Sequence, residues 1–280
     1  MPDSQRKGRV CAFTISRNER HYLPKWESHY GGRLGFENIF VLDHRSDDGS
    51  TVNLRCRSIS LQREEYCEVW KSQVVSEFQS RLLQDYEVVV YSDVDELLFP
   101  APGGGGDLKA LLLSVEEEVV AVTGYDLLHY REREPALDLS RPVTSQRSFW
   151  RRNWYLDKPL ITRSPVQWSV GSHHLEGRPE APPRRDDILM LHLHWADHEI
   201  AFEKLRFLRS ILWSEQSVER GLASHNRFSD EQLERVYAED IDNAVGRLLS
   251  GRPAEPPPEL SQASPIGPVE HIPAAVRGSV

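Results

Sequence analysis

The chain has 280 residues, of which 39% are apolar and 28% are charged, a balance typical of a globular protein with a substantial core. Its 34 basic and 43 acidic residues leave a net charge of −9, which excludes the broad basic surface that sequence-independent binding to nucleic acid requires. The three cysteines, Cys11, Cys56 and Cys67, form no CxxC pair and predict reduced thiols in a cytoplasmic compartment.

Neither a membrane span nor a signal peptide is predicted. No apolar run approaches the roughly 18 residues that a span needs, and the six apolar or small residues at 10–15 are too few for a signal-peptide core. We therefore expect a soluble, cytoplasmic protein that contacts a membrane at most peripherally. Residues 1–9 are charged and predict a disordered N-terminus, and the seven prolines of residues 251–280 predict a disordered tail. One catalytic domain over residues 10–250 is the expected organisation.

In the first half of the chain, short apolar runs alternate with amphipathic segments. Apolar or β-branched runs predict strands at residues 10–15, 38–43, 87–91, 119–125 and 188–193. Apolar residues at helical spacing predict helices at residues 22–34, 66–84 and 199–213. Residues 131–165, rich in Arg, Trp, Asp and Pro, predict long loops. Apolar strands joined by helices are typical of a parallel sheet covered on both faces, so the sequence predicts a doubly wound α/β fold.

The sharpest motif is acidic: residues 92–96 (SDVDE) directly follow the predicted strand at 87–91. In parallel α/β sheets, ligands bind at the carboxyl ends of the strands. Asp93 and Asp95 lie two residues apart, and once the strand bends into a loop both carboxylates can address one hard divalent cation that bridges a diphosphate. The alternative is an acidic turn that caps the following helix.

A second polar cluster, residues 43–50 (DHRSDDGS), follows the predicted strand at 38–43. Asp43 could accept hydrogen bonds from a base N–H or a ribose hydroxyl at this strand end. Asp48 and Ser50 have the pattern of turn or helix-cap residues. Capping alone is the alternative interpretation for the whole cluster.

Five of the eleven histidines fall late in the chain, at His173, His174, His192, His194 and His198. His192 and His194 alternate along one predicted strand and therefore face the same side. A neutral imidazole there could complete a metal site begun by the two aspartates. The alternative is a buried histidine satisfied by the backbone. Zinc held by these histidines alone gains no support from an HExxH spacing, because the chain has none.

Taken together, these motifs resemble the family 2-like and family 92-like glycosyltransferases. The motifs that carry the resemblance occur in chain order at residues 16–19 (SRNE), 34–36 (LGF), 42–50 (LDHRSDDGS) and 92–100 (SDVDELLFP), and less closely at 158–161 (KPLI), 171–175 (GSHHL) and 191–195 (LHLHW). The resemblance implies a Rossmann-like GT-A fold, a doubly wound mixed sheet in a single domain. A nucleotide-sugar would lie across the first half of that sheet.

The resemblance also implies roles for individual residues. Those that would bind the nucleotide-sugar are Arg17, Asn18, Glu19, Asp43, Ser92 and Asp93. Asp93 and Asp95 would hold Mn²⁺ or Mg²⁺ on the diphosphate, with His194 as a further ligand and His192 as the second choice. Leu97 stands where the family has an aromatic residue, and His44-Arg45 follow Asp43 where the family has an acid or Asn. The donor sugar is therefore not implied.

Transfer to an acceptor hydroxyl also needs a group that takes the proton of that hydroxyl. The glycine-containing loop at 168–176 could bring His173 or Glu176 to this position, and Asp126 and Asp157 are alternatives. Aromatic residues near 149–155 suit an acceptor groove, since Trp and Tyr faces stack on sugar rings. Arg147, just before them, could meet the diphosphate or an acidic acceptor, and the alternative is a solvated arginine.

The expected function is therefore a metal-dependent glycosyltransferase of the hexosyltransferase type. It would move a sugar with inversion from a nucleotide-diphosphate sugar to the hydroxyl of a glycan, a lipid-linked sugar or a small molecule. A nucleotidyltransferase is one alternative, but it should show an early basic or glycine-rich triphosphate loop. A non-catalytic nucleotide-sugar-binding module is the other, but it should lack the acids of the DxD motif, which are intact here.

Overall fold

The computed structural model describes residues 8–103, 106–178, 180–252 and 266–280. The apolar runs of the first half become adjacent parallel strands in the order β3-β2-β1-β4. These strands are β1 (Val10–Ser16), β2 (Ile39–Asp43), β3 (Arg57–Ser60) and β4 (Val88–Tyr91). Every residue of β1 is buried, because this strand lies between neighbours inside the sheet.

Two long helices pack on this parallel part. Helix α1 (Tyr22–Leu34) buries one aromatic face, with Trp26 and Tyr30 fully enclosed. Helix α2 (Glu68–Leu82) lies between the β3 and β4 regions of the chain and buries Val75. Both helices agree with the predicted periodicity. Burial of each large apolar side chain stabilises the fold by about 1.5–3 kcal/mol.

The second half of the sheet is mostly antiparallel. Its strands are β5 (Glu96–Pro100), β6 (Val119–Leu128), β7 (Phe149–Asn153), β8 (Ile161–Thr162) and β9 (Arg184–His192). Strand β6 pairs antiparallel with β7 and β8, and parallel with β9. The prediction of long loops over residues 131–165 is therefore wrong for β7 and β8, whose strand partners lie far away in the sequence.

The helices after β9 form a second, smaller core. They are α4 (His198–Ser210), α5 (Glu215–Glu219), α6 (Asp230–Arg235) and α7 (Asn243–Leu249), with a π-helical segment, Val236–Asp242, between α6 and α7. Phe202, Leu205, Tyr237 and Ile241 are buried in this core. Helix α3 (Leu108–Leu113) follows β5, and Asp107 caps its N-terminus by accepting two backbone N–H bonds.

The C-terminal segment also belongs to the domain. Strand β10 (Ile266–His271) pairs antiparallel with β7, and Ile272, Val276 and Val280 are buried in the main core. The prediction of a disordered tail is therefore wrong for residues 266–280. Proline is tolerated here because β10 is an edge strand. The rest of the predicted tail, residues 253–265, and residues 1–7 of the predicted disordered N-terminus lie outside the described residues.

The predicted single domain with a mixed α/β sheet is confirmed, with its boundary extended to include β10. The parallel half occupies the place that the sequence predicted, and the antiparallel half was not predicted in this form. Among the residues that the structure describes, no helix combines the length and apolarity needed to cross a membrane.

Candidate active site

A cleft of about 640 Å³ opens where several strands end. Its lining includes residues within two positions of the ends of β1, β2 and β4, namely Arg17, His44 and Asp93. The other wall comes from the second half of the chain, with Asp126 on β6 and His192 at the end of β9. The cleft therefore lies at the carboxyl ends of the strands, where the sequence predicted ligand binding.

Strand register explains how distant residues meet in the cleft. Glu96 on β5 pairs with His192 on β9, His192 pairs with Asp126 on β6, and Asp126 pairs with Arg151 on β7. Directly opposed residues of neighbouring strands project to the same face of the sheet. The sheet thus lines up an acid, an imidazole, a second acid and a guanidinium in one row across four strands.

Three side chains at the floor of the cleft could hold a metal ion. Each of Asp95, His192 and His194 offers one ligand atom, and these atoms all lie within 4.8 Å of one another. Asp95 Oδ2 lies 3.8 Å from His192 Nε2 and 3.9 Å from His194 Nδ1. The two imidazole rings stack at 5.6 Å with an interplanar angle of 14°. His192 and His194 therefore lie on one face, as predicted, and a ring nitrogen of each lies near Asp95 Oδ2.

Asp126 holds His192 in this orientation. Its Oδ1 lies 2.8 Å from His192 Nδ1, which leaves Nε2 directed towards Asp95. Asp126 is completely buried and also accepts hydrogen bonds from Arg151 and Asn153. Burial alone would raise the pKa of Asp126, but the hydrogen bond with His192 and the Arg151 charge lower it to about 2. A carboxylate behind a histidine is a common support for a metal ligand.

Three lysines neutralise the acidic motif. Lys71 and Lys158 lie 2.9 Å and 3.6 Å from the Asp93 carboxylate, and Lys158 also pairs with Glu96. Lys204 of α4 bridges Asp95 and Glu19. Burial opposes ionisation of Asp93 and Asp95, yet these lysines keep the pKa of both carboxyl groups below its ordinary value. No sequence pattern indicated these pairs, because Lys71 lies 22 positions from Asp93 and Lys204 lies 109 positions from Asp95.

The two aspartates of the motif therefore have different surroundings. Asp93 is held by Lys71, Lys158 and the Tyr91 hydroxyl, and it is not part of the three-ligand group. Asp95 contacts both histidines and Lys204. Asp93 lies outside the group of three possible ligands, so the prediction that it holds the same cation as Asp95 stays a prediction.

The opposite end of the cleft carries aromatic and basic side chains. His44 packs against Trp70 and Tyr66, with ring centroids 4.8 Å and 6.0 Å away. Arg17 lines the same end and donates to the Glu64 carbonyl. Ser16 also lines the cleft, and its buried hydroxyl has no hydrogen-bond partner among the described residues. These groups leave room and hydrogen-bonding capacity for a planar or hydroxylated ligand.

Asn18 and Asp43 lie beside this end but outside the cleft lining. Asn18 has a positive φ of 54° and ties its loop to the β2 loop, through Asp47 and Ser46. Asp43 accepts hydrogen bonds from the Ser46 N–H and the Thr51 hydroxyl. Both residues shape the loops around the cleft, and their direct contact with a ligand stays a prediction.

Two predicted binding residues are inaccessible to a ligand. The Ser92 hydroxyl is fully buried between Trp26 and Tyr30. The Arg147 guanidinium is enclosed by Asp197 and the carbonyls of Ala196 and Pro135. The prediction that Ser92 and Arg147 bind the nucleotide-sugar is wrong, because both side chains serve the packing of the core.

The loop at 168–176 carries both predicted bases, His173 and Glu176, but places them at different sites. His173 lines the cleft, and its Nδ1 lies 2.8 Å from the Tyr155 carbonyl, which leaves Nε2 free of a protein partner among the described residues. Gly171 adopts a φ of +73°, and a Cβ there would lie 2.8 Å from the His173 ring, so glycine is required beside it. Glu176 is exposed and lines a separate shallow depression. Its predicted catalytic role is therefore wrong.

Of the other predicted alternatives, Asp157 pairs with Arg152 and Arg184 outside the cleft, and Asp126 is occupied by His192 and Arg151. Burial and the nearby Lys158 charge lower the pKa of His173 to about 4, so this imidazole is neutral at pH 7.

The sequence did not point to Asp240. It lines the cleft from the π-helical segment, and its carboxylate makes no hydrogen bond or ion pair with a described residue. Partial burial raises the pKa of Asp240 above its ordinary value. π-Helical turns are rare and often lie at functional sites. The π-helical backbone around Asp240, which only the structure reveals, is therefore the signal that points to this residue.

No protein-family model matches the chain, and no curated protein is a significant match. Among solved structures, glucosyl-3-phosphoglycerate synthase of Mycobacterium tuberculosis, in complex with Mn²⁺, UDP-glucose and phosphoglyceric acid, is 15% identical with a TM-score of 0.28. That alignment covers 41% of this chain and 43% of the synthase, so it spans less than half of the synthase.

Two further solved structures align over more of the chain, with similarly low sequence identity and TM-score. CMP:2-keto-3-deoxy-manno-octonic acid synthetase complexed with CTP is 9% identical, with a TM-score of 0.30 over 78% of this chain and 84% of that one. Mannose-1-phosphate geranyltransferase from Thermus thermophilus is 14% identical, with a TM-score of 0.29 over 88% and 68%. Similarity at this level does not identify a reaction, which must be inferred from the cleft itself.

Proposed function

We propose that the protein is a metal-dependent transferase that moves a sugar from a nucleotide-diphosphate sugar to an acceptor hydroxyl. The observation that carries this proposal is the convergence of Asp95, His192 and His194 at the floor of a strand-end cleft, with Asp126 behind His192. The order of motifs that resembles the family 2-like and family 92-like glycosyltransferases supports the same function. Membership of that family, inversion, the hexosyl donor and a cytoplasmic location remain predictions.

The donor set fits a divalent cation. One carboxylate and two imidazoles suit Mn²⁺ better than Mg²⁺, because Mg²⁺ favours oxygen ligands. His192 and His194 would offer Nε2 and Nδ1, and Asp95 would offer Oδ2. When bound, such an ion neutralises the charge that develops on a leaving diphosphate.

The protein's own residues would perform the remaining tasks. Lys71 and Lys158 face the cleft while held by Asp93, so they can add positive charge beside the leaving group. The nucleoside would occupy the end lined by Arg17, His44 and Ser16. Asn18, Glu19 and Asp43 would support this end through the loops that they fix.

We assign the proton-accepting role to His173. Its Nδ1 proton is directed to the Tyr155 carbonyl, so Nε2 carries a lone pair towards the cleft. Tyr155 is 61% exposed at the same rim and could stack on an acceptor sugar. Asp240, which lines the same cleft, is the second group that could take the proton.

Ligand-linked stabilisation tests the proposal without knowledge of the acceptor. Melting temperatures are measured with nucleoside diphosphates, nucleoside triphosphates and nucleotide-sugars, each with and without Mn²⁺. Stabilisation by a nucleotide-sugar that requires Mn²⁺ supports the proposal. A stronger, Mg²⁺-dependent response to a triphosphate would favour a nucleotidyltransferase instead.

Asp95→Asn is the matching variant. It keeps the size of the side chain but removes the charge that a cation needs, so Mn²⁺-dependent stabilisation by the nucleotide-sugar should disappear while the fold persists. Asp186→Asn, an exposed acid of β9 outside the cleft, is the control and should retain the full response. An unchanged response in Asp95→Asn would contradict the assignment of the metal site.

A further inference from the structure

Three nitrogen atoms lie near one carboxylate oxygen, Asp95 Oδ2. Lys204 Nζ lies 2.9 Å from it, and the two histidine nitrogens proposed as metal ligands lie 3.8 Å and 3.9 Å away. The Asp95 side chain is only 6% exposed, so solvent can contribute little to neutralising it. A cation held by both imidazoles would therefore compete with the Lys204 ammonium for the same oxygen.

Lys204 has a second anchor. Its Nζ also lies 2.8 Å from Glu19 Oε1, and Glu19 belongs to the loop after β1 that lines the cleft. Lys204 itself lines the cleft from α4 and its side chain is 17% exposed. The ammonium can thus leave Asp95 without losing every anionic partner, and an anion in the cleft could become its new partner.

The other two lysines lack this property. Lys71 and Lys158 contact Asp93, and Lys158 also contacts Glu96, so neither touches an atom of the three-ligand group. Both can face a diphosphate whether or not a cation is bound. Only Lys204, among the described lysines, must change its contacts when Asp95 becomes a metal ligand.

We propose that Lys204 is an internal counterion that competes with the divalent cation for Asp95 and exchanges Asp95 for the diphosphate when the donor binds. This inference rests on the proposed metal site and deepens it. Without donor, Lys204 neutralises Asp95 and weakens metal binding, since two positive charges cannot share one buried carboxylate oxygen without repulsion. A diphosphate attracts Lys204, frees Asp95 and so favours metal binding. Because coupling between ligands is reciprocal, the metal in turn favours the diphosphate.

The test measures two ligands separately on the full chain by calorimetry, with Mn²⁺ alone and with inorganic pyrophosphate alone. Lys204→Met removes the charge at nearly the same length. We expect it to bind Mn²⁺ about tenfold more tightly than the wild type and to bind metal-free pyrophosphate several-fold more weakly. If Lys204 had a purely structural role, Lys204→Met would bind both ligands more weakly. Tighter Mn²⁺ binding together with weaker pyrophosphate binding therefore indicates exchange.

Two variants serve as controls. Lys204→Arg keeps the positive charge and should bind Mn²⁺ as the wild type does. Lys71→Met removes a charge from the same cleft without touching Asp95, and its Mn²⁺ affinity should rise by less than about threefold. Melting curves of each variant without ligand show whether the protein is folded, and Lys204→Gln, which also removes the charge, replaces Lys204→Met in the comparison if Lys204→Met is unstable.

The outcomes distinguish the two proposals. If Mn²⁺ binds the wild type and Lys204→Met equally, or binds Lys204→Met more weakly, the exchange is contradicted while the metal site stands. Unchanged pyrophosphate affinity in Lys204→Met also contradicts it. If Mn²⁺ binds neither protein, the metal site itself is wrong, and the role of Lys204 with it.

Discussion

The two halves of the molecule contribute to the cleft in different ways. The first, residues 10–100, forms parallel strands from neighbouring segments and places the acids Glu19, Asp93 and Asp95 at the strand ends. The second, residues 119–280, supplies the partners that decide what those acids do, among them Lys158, His192, His194 and Lys204. An acidic motif therefore marks a site, but the residues from the second half define its chemistry.

The proposed base belongs to the second half, and its loss should have the largest effect. His173→Gln keeps a polar side chain but cannot accept and carry the proton, so we expect kcat for transfer to fall about 10²- to 10⁴-fold with little change in donor binding. Steady-state kinetics with the donor selected by thermal shift provide the measurement. Asp240→Asn is the comparison variant in the same cleft. A larger loss of kcat in Asp240→Asn than in His173→Gln would move the base to Asp240.

The C-terminal segment should matter for stability although its composition suggested otherwise. Ile272 is 3% exposed in the main core, so Ile272→Ala should lower the free energy of unfolding by about 2–5 kcal/mol. Arg277→Ala, an exposed neighbour, should change it by no more than about 0.5 kcal/mol. Equal urea midpoints for the two variants would show that residues 266–280 do not dock on the domain in solution.

A variant of Asp126 tests the row of side chains that runs across four strands, from Glu96 through His192 and Asp126 to Arg151. Asp126→Asn removes the carboxylate that orients His192, and loss of such support typically weakens metal binding about 10- to 100-fold. Arg151→Gln is the control, because it changes the other partner of Asp126 and leaves the His192 contact intact. The visible absorption of bound Co²⁺ should also change in Asp126→Asn, since it reports ligand geometry. An unaltered Co²⁺ spectrum and affinity would contradict the role of Asp126.

The smallest predicted effect concerns the first half alone. His29 is buried in α1 with Nε2 2.7 Å from the Leu98 carbonyl, and burial lowers its pKa from 6.5 to about 3. Between these values the unfolded chain binds a proton that the folded chain does not, so stability falls as the pH decreases below about 6.5. Between pH 7 and pH 5 the wild type should lose about 2 kcal/mol more than His29→Gln. Parallel pH dependence in urea titrations of both proteins would contradict a neutral, buried His29.

The sequence predicted the local part of this structure well. Strands β1, β2 and β4 and helices α1 and α2 follow from periodicity within short segments, and the acids at the strand ends follow from the position of their motifs. His192 and His194 were predicted to share a face, and they do.

The rest depends on pairing over long distances in the chain. Asp126 meets His192 because β6 and β9 are register partners 66 positions apart, and Lys204 meets Asp95 over 109 positions. No spacing within one segment encodes such contacts. The same limit explains the errors for Ser92, Arg147 and Glu176, whose chemistry suited a site but whose side chains the packing directs elsewhere.

The central claim is that the second half of the chain supplies the ligands that make Asp95, rather than the Asp93–Asp95 pair, the metal site. Anomalous diffraction at the manganese absorption edge, from crystals soaked in Mn²⁺, tests it most directly. We predict one strong peak in the cleft, within coordination distance of Asp95 Oδ2, His192 Nε2 and His194 Nδ1, with Lys204 turned away from Asp95. A peak centred between Asp93 and Asp95 without the histidines, or no peak in the cleft at saturating Mn²⁺, would contradict the account.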